Sequence, residues 1–324
     1  MLTAMISQVC AQDKKRNLPQ RVNDMLTDYY YNPQYDTAYV LRPKEKWLFR
    51  VMVNQAGNYI HAKGTVRDVY SEYDLHTKSN TSISLEVGYC DLAAALSITP
   101  SKFTGDYDDY ELNLQYHGRR LSIDFNYQLS TSLAGDMELR DISHLGEDAL
   151  RMNVFNITGY YTFNNRRFSF PAAMIQNFYQ HRSAGSWLAG VSFLGGSIKT
   201  TDELKARSPQ APEVHLKFAN IGIGGGYGYN FVFGRRSQWL FHLSALPTFV
   251  VYRHNRLSVN NEQVSGNGMG FNMIFNERAS VVYHFSPRYF AGATMLMSNS
   301  IFDNDDVVIK QNKWLARAFF GFRL

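Results

Sequence analysis

Two histidines, a serine and an asparagine in the last third of the chain could supply acyl-transfer chemistry. His242, Ser244, Asn276 and His284 would provide the base, the hydroxyl nucleophile and the orienting amide of a Ser/His/Asn site. Their spacing shows no hydrolase pattern, so a structural role is favoured for each. The chain also has no CxxC, HExxH, GxSxG or Walker sequence. We therefore predict no enzyme activity, catalytic residue, metal or cofactor.

A second chemical candidate is a set of charged residues that share one face of alternating segments. These lumen-lining candidates are Glu86, Glu111, Asp124, Arg278, Arg317 and Arg323. Rings of charge set the selectivity of pores, which gives a constriction or ligand-site interpretation. A salt-bridged network that fills and stiffens a closed barrel is the alternative, and it is favoured.

The elements that would position these side chains are long alternating segments. The clearest is residues 221–233, in which apolar or aromatic residues alternate with small ones. A strict period of two predicts a strand with two unlike faces. Its length reaches the roughly 9–11 residues that a tilted membrane-crossing strand needs. Four close-packing glycines share the second face and predict a bulky neighbour, folded-in loop or ligand against it: Gly222, Gly224, Gly226 and Gly228.

The succession of such segments predicts an all-β fold, an antiparallel transmembrane β-barrel of about 12 strands. No run of about 18 apolar residues is present, so no transmembrane helix is expected. A barrel this wide has a lumen that side chains do not fill with a dry core. The second faces offer Ser, Asn, Gln, Asp and Gly, which suit a polar lumen, and the apolar faces suit lipid. The expected location is the bacterial outer membrane.

Two features conflict with a regular barrel. When turns are assigned alternately to the two ends of the barrel, counting back from the C-terminus, residues 131–150 become a long connection at the end that should carry short turns. Either the strand near Pro171 is misassigned or one rim of the barrel is low on that side. Glu277 falls on an apolar face, where it is either an outward acid or turned inward by a bulge.

The predicted organisation has three parts. Residues 1–12 are interpreted as a signal-peptide remnant, 13–45 as an N-terminal periplasmic extension and 46–324 as the barrel. The Tyr-rich stretch 28–39 would form a loose tail or, less favoured, plug the lumen. The net charge of +5 comes from scattered basic residues, which argues against nucleic-acid binding.

Several short segments together carry a family resemblance. They are 161–164, 167–170, Gln176, Gln180, 183–186 and 226–232. This pattern resembles the bacterial outer-membrane family known as domain of unknown function 4421, over roughly 35–324. The resemblance implies a secreted barrel and brings no assigned reaction.

The last strand, FFGFRL, looks like the signal that barrel-assembly machinery recognises, although it ends in Leu324 where Phe is usual. The expected partners are that machinery, outer-membrane lipid and lipopolysaccharide. The leading hypothesis is a non-enzymatic narrow pore or a barrel that binds small molecules or lipids. A lipid- or lipopolysaccharide-modifying enzyme and a structural or surface-attachment barrel are the alternatives.

Overall fold

The computed structural model describes most of the chain from residue 34 onward. The described residues are 17, 20–21, 23–24, 27, 34–66, 69–78, 80–90, 92–100, 109–139, 142–209, 213–260, 262–264, 272–304 and 307–324. The predicted signal remnant, 1–12, lies outside them, as does most of the predicted extension before residue 34.

Strands dominate the described residues. They are β1 (Val40–Leu41), β2 (Trp47–Val66), β3 (Val69–His76), β4 (Asn80–Tyr89), β5 (Leu92–Ile98), β6 (Tyr110–His117), β7 (Leu121–Leu139), β8 (Ile142–Thr162), β9 (Tyr179–Gln180), β10 (Ala184–Thr200), β11 (Val214–Phe233), β12 (Trp239–Val259), β13 (Glu262–Val264), β14 (Met273–His284), β15 (Tyr289–Asn304) and β16 (Val307–Arg323). Between the strands lie the short helices α1 (Phe170–Met174) and α2 (Asp202–Arg207). No described helix is long and apolar enough to cross a membrane.

Ten of these strands close into an antiparallel ring, which confirms the barrel. Their order is β2, β3, β7, β8, β10, β11, β12, β14, β15, β16 and back to β2. We call the end at which β2 begins and β16 finishes the terminal end, and the opposite end the distal end.

The ring differs from the expected count of about 12 strands. The reason is that β3 and β4 share β2 as their partner: β3 pairs with its distal half and β4 with its terminal half. Because β3 also pairs with β7, the ring closes there directly. Outside it, β5 pairs with β4, β6 with β7, and β13 with β12.

The two faces of the strands point as the alternation predicts. Trp187 and Ile223 on the outer face are 68% and 53% exposed, whereas Asn230 on the inner face is fully buried. The polar lumen holds only for the middle of the barrel, however. One apolar cluster around Phe170 and Phe290 fills the terminal part, and another around Met152 and Ile274 lies in the distal part. Apolar residues therefore occupy many inward positions as well.

The connection between β8 and β10 resolves the conflict in the turn count. Residues 165–178 do not form a strand. Ser169 caps α1 by accepting a hydrogen bond from the Ala172 amide, and Pro171 occupies the first turn, where it is favoured. Residues 131–139 and 142–150, in contrast, extend β7 and β8 toward the distal end. The short turns after β4 and β6 therefore lie at the terminal end, together with the turns after β11 and β14, whereas the earlier count put the turns at Cys90 and His117 at the opposite end. The misassigned strand near Pro171 was the cause.

Glu277 faces outward in a regular ladder. It lies opposite Ala245 on β12 and Met297 on β15, with no bulge at this position. Its carboxylate accepts a hydrogen bond from Asn299 Nδ2 at 2.9 Å, which supplies one polar partner on the outer face.

Candidate functional site: the plugged lumen

The β8–β10 connection folds into the terminal part of the lumen. We call residues 163–183 the plug. Phe168, Phe170 and Ala172 within it are essentially inaccessible to solvent. The ring of Phe170 lies 5.0 Å from Tyr160 on β8 and 5.0 Å from His242 on β12, so the plug contacts several walls of the barrel.

The described end of the N-terminal extension joins the plug. Val40 and Leu41 of β1 pair with the plug strand β9. The Tyr35 ring packs 4.9 Å from the Phe178 ring, and its hydroxyl lies 3.4 Å from Ser169 Oγ. Part of the predicted extension therefore belongs to the packed interior.

An arginine on β2 attaches the plug to the wall. Arg50 Nη1 donates to Gln176 Oε1 at 2.5 Å and to the Met174 carbonyl at 3.3 Å. Its other nitrogens donate to the Glu86 carboxylate at 2.6–2.9 Å. Arg50 and Glu86 are 4% and 8% exposed, so this is a buried, bidentate ion pair.

A second arginine, on β16, holds the same segment. Arg323 Nη2 donates to the Gln176 carbonyl at 2.7 Å, and Nη1 donates to the Tyr179 hydroxyl at 2.8 Å. The Tyr179 hydroxyl donates in turn to the Pro287 carbonyl at 2.5 Å. Gln176 thus connects two wall arginines, and its own backbone adopts a left-handed φ of 57°.

A third attachment runs through four polar side chains. Gln180 directs its amide nitrogen to the Arg167 and Arg182 carbonyls at 2.6 and 2.8 Å, so its oxygen faces Asn230. Asn230 Nδ2 donates to that oxygen and to the Ser169 carbonyl, both at 3.0 Å. Asn230 Oδ1 then accepts from His242 Nδ1 at 2.7 Å, which leaves His242 Nε2 to accept from the Ser244 hydroxyl at 3.0 Å.

This chain has the form of a nucleophile, a base and an orienting amide. The prediction from the sequence included His242 and Ser244 but not Asn230, which lies directly opposite His242 on β11. Its position as a polar residue on the glycine face was the signal that could have found it. The predicted Asn276 instead donates to Ser192 at 3.1 Å, and the His284 ring lies 4.4 Å from that of Tyr179.

The site is covered as the structure stands. The Phe168 and Phe170 rings lie 5.9 and 5.0 Å from the His242 ring, and Ser244 is 7% exposed. The geometry can therefore anchor the plug in the present state, whereas catalysis would first require the aromatic rings to move.

A polar chamber lies between the plug and the distal apolar cluster. Its cavity has a volume of about 90 Å³, and its lining includes Glu111, Asp124 and Arg278. Arg278 Nε donates to Asp124 at 3.1 Å, and Arg317 Nη1 donates to Gln115 at 2.6 Å.

Glu111 pairs with a lysine that the sequence analysis overlooked. Lys313 Nζ lies 3.3 Å from the Glu111 carboxylate and also donates to Gln128 at 2.9 Å. Lys313 shares the inward face of β16 with Arg317 and Arg323, so the alternation could have identified it. All six predicted lumen residues point inward: Glu86 and Arg323 surround the plug, and Glu111, Asp124, Arg278 and Arg317 belong to the chamber region.

Side chains also meet across the lumen. Asn156 on β8 donates to Ser298 on β15 at 3.3 Å. Going round the ring from β8 to β15, the strands β10, β11, β12 and β14 lie between them. β8 and β15 therefore stand on opposite sides of the barrel. The middle of the barrel is consequently crossed by direct contacts between opposite walls.

The four glycines of β11 contact different neighbours. A Cβ added at Gly224 or Gly226 would overlap the β12 backbone, at the Pro247 and Ala245 carbonyls respectively. At Gly222 it would meet Thr248 Oγ1 at 3.0 Å, and at Gly228 it would meet the plug ring of Phe168 at 3.0 Å. The expected bulky neighbours are therefore β12 and the folded-in plug.

One group among the described residues has the composition of a metal site. Ligand atoms of His61, Glu72 and Asp74 lie within 4.8 Å of one another on the distal parts of β2 and β3. His61 Nδ1 is 2.7 Å from Asp74 Oδ1, and Tyr59 also donates to Asp74. These contacts account for the cluster by hydrogen bonding among its own members.

Comparisons with known proteins give a family match but no functional assignment. A family model described as a domain of unknown function (DUF4421) matches residues 34–324. No curated protein is similar to the chain in sequence.

Solved structures resemble the chain only distantly. The outer membrane protease OmpT from Escherichia coli has a TM-score of 0.41 and 6% identity, over 88% of this chain and 98% of that one. The translocator domain of autotransporter NalP from Neisseria meningitidis has a TM-score of 0.31 and 7% identity, over 94% and 97%. The Pseudomonas aeruginosa outer membrane protein OprG has a TM-score of 0.27 and 9% identity, over 88% and 99%. TM-scores this low carry no argument about activity.

Proposed function

We propose, from the premise that the chain belongs to the DUF4421 family, that it is a non-enzymatic outer-membrane barrel that binds a small molecule in a closed lumen. The outward apolar face supports the membrane location. We further propose that barrel-assembly machinery recognises β16, and that the outer surface contacts lipid and lipopolysaccharide.

The observation that carries this proposal is the obstruction of the barrel axis. The plug closes the terminal part, and the Asn156–Ser298 hydrogen bond joins opposite walls farther along. A pore needs a continuous passage, whereas a binding barrel needs only an internal cavity. Of the two forms of the leading hypothesis, the geometry therefore favours the binding barrel over the narrow pore.

We expect the purified, folded protein to give no conductance above the lipid baseline in planar-bilayer recordings. Heat-modifiable migration on gels and outer-membrane fractionation would establish that the tested protein is folded and correctly located. Reproducible single-channel steps from such a preparation would contradict the closed-lumen proposal. A soluble, heat-insensitive protein would contradict the membrane assignment.

Acyl hydrolysis is the second candidate, because the Ser244–His242–Asn230 geometry specifically favours it. We expect phospholipid vesicles incubated with the protein to release fatty acid at the same rate for wild type and Ser244→Ala. Ser280→Ala is the matched control, since Ser280 is also buried and lies opposite His242 on β14. Activity lost in Ser244→Ala and retained in Ser280→Ala would favour the enzyme.

A further inference from the structure

The distal part of the lumen contains a second cavity, with a volume of about 50 Å³. Its wall is mostly apolar and is built by side chains from separate strands, including Val154 on β8, Ile198 on β10, Phe218 on β11 and Phe302 on β15. The described residues that line it include no charged side chain. An interior of this kind suits an apolar molecule without an ionised group.

A single buried amide in this wall has unused hydrogen-bonding capacity. Asn220 is 1% exposed and lines the cavity, yet neither Oδ1 nor Nδ2 has a hydrogen-bond partner among the described residues. Ten residues along the same face of β11, Asn230 satisfies both its amide atoms. A buried amide without a partner is costly, so an inward Asn in an apolar wall is the kind of group that orients a ligand.

Among the described residues, the exposed side of the cavity is its distal side. Phe218, Ile198 and Phe302 are only partly buried, and Asn255 at the cavity wall is exposed. Toward the terminal end, the hydrogen-bonded middle and the plug intervene. A molecule could therefore enter from the distal end and would be held there without passing through.

We propose that this distal cavity binds a small amphipathic molecule with a short apolar chain and one neutral hydrogen-bonding group. The apolar wall accommodates the chain, and the Asn220 amide both donates to and accepts from the polar group. This inference rests on the proposed function and specifies its ligand class. A carboxylate is disfavoured because the described lining offers no cation to pair with it.

The test is a titration of hexanamide into the full-length protein in lipid nanodiscs, followed by saturation-transfer NMR. We expect saturable binding to the wild type and at least tenfold weaker binding to Asn220→Leu. The melting temperature of Asn220→Leu should stay the same or rise, because the substitution removes an amide that has no protein partner. A purely structural role for Asn220 would instead lower the melting temperature.

Two further variants separate the cavity from general effects on the lumen. Val154→Trp should fill the cavity and abolish binding while Asn220 is retained. Ser280→Ala removes a buried hydroxyl that also has no hydrogen-bond partner among the described residues but lies outside the cavity, and it should leave hexanamide affinity unchanged. Hexanoate, which has the same chain length, should bind more weakly than hexanamide.

The outcomes distinguish this proposal from the closed-lumen function. Equal hexanamide affinity of wild type and Asn220→Leu would overturn the distal site, as would absence of saturable binding to folded wild type. Either result, with silent planar bilayers, leaves the closed barrel in place. Conductance by the wild type would overturn the proposed function even if hexanamide binds.

Discussion

Replacing Gly226 by valine is expected to keep the barrel from reaching its heat-modifiable folded form. A Cβ at this position would overlap the Ala245 carbonyl of the neighbouring strand, and the same substitution at Gly224 would overlap that of Pro247. Backbone cannot move aside as a side chain end can, so the cost should reach the upper end of overpacking, about 3 kcal/mol or more. The measurement is the fraction of protein that migrates as the compact species without heating.

The matched control is the same substitution one residue away. Gly225 faces outward, and a Cβ there would lie 3.4 Å from the Leu188 carbonyl, which is an ordinary contact. We therefore expect Gly225→Val to fold in nearly wild-type yield. Equal yields for the Gly225 and Gly226 variants would show that β12 does not require the close approach.

Replacing Arg50 by alanine should destabilise the folded barrel by about 3–5 kcal/mol, because it leaves the Glu86 carboxylate buried without its partner. The same change removes the hydrogen bonds to Gln176 and to the Met174 carbonyl. Urea unfolding of the reconstituted protein, followed by the heat-modifiable band, would measure the loss.

A double variant separates the orphaned charge from the lost plug contacts. Arg50→Met with Glu86→Leu removes both charges, so most of the stability should return. The plug would still lack its β2 attachment, and we expect protease to cleave residues 163–183 faster than in the wild type. If the double variant is as unstable as Arg50→Ala, the buried charge is not the main cause.

The outer wall was largely predictable from the sequence, because the alternation within each strand shows which residues share a face. Alternation over 221–233 and the inward positions of Asp124 and Arg278 depend only on the period of two. The pairing of the strands was harder to predict from the sequence, because alternation within a strand does not show which strands are its neighbours. The division of one β2 edge between β3 and β4, which sets the ring at ten strands, is a pairing property.

The main wrong prediction was a strand in the segment that forms the plug, and its cause lies in the residues of that segment. Residues 168–178 contain several large apolar side chains, which favoured a strand near Pro171. The alternative was present in the order Ser169, Phe170, Pro171, since a capping serine before a proline begins a helix. Arg50 becomes a functional candidate only once this segment is known to lie inside the lumen.

Gln176 has a consequence for the order in which the molecule assembles. Arg50 belongs to the first strand of the ring and Arg323 to the last, and these two strands pair at the seam where the ring closes. One plug residue is bonded to both sides of that seam. We therefore expect the plug either to be in place when β16 docks on β2 or to be threaded into an already closed barrel. If the plug docks first, the completed pairing of β16 with β2 never has to reopen. Plug docking should therefore precede or accompany the final step of folding.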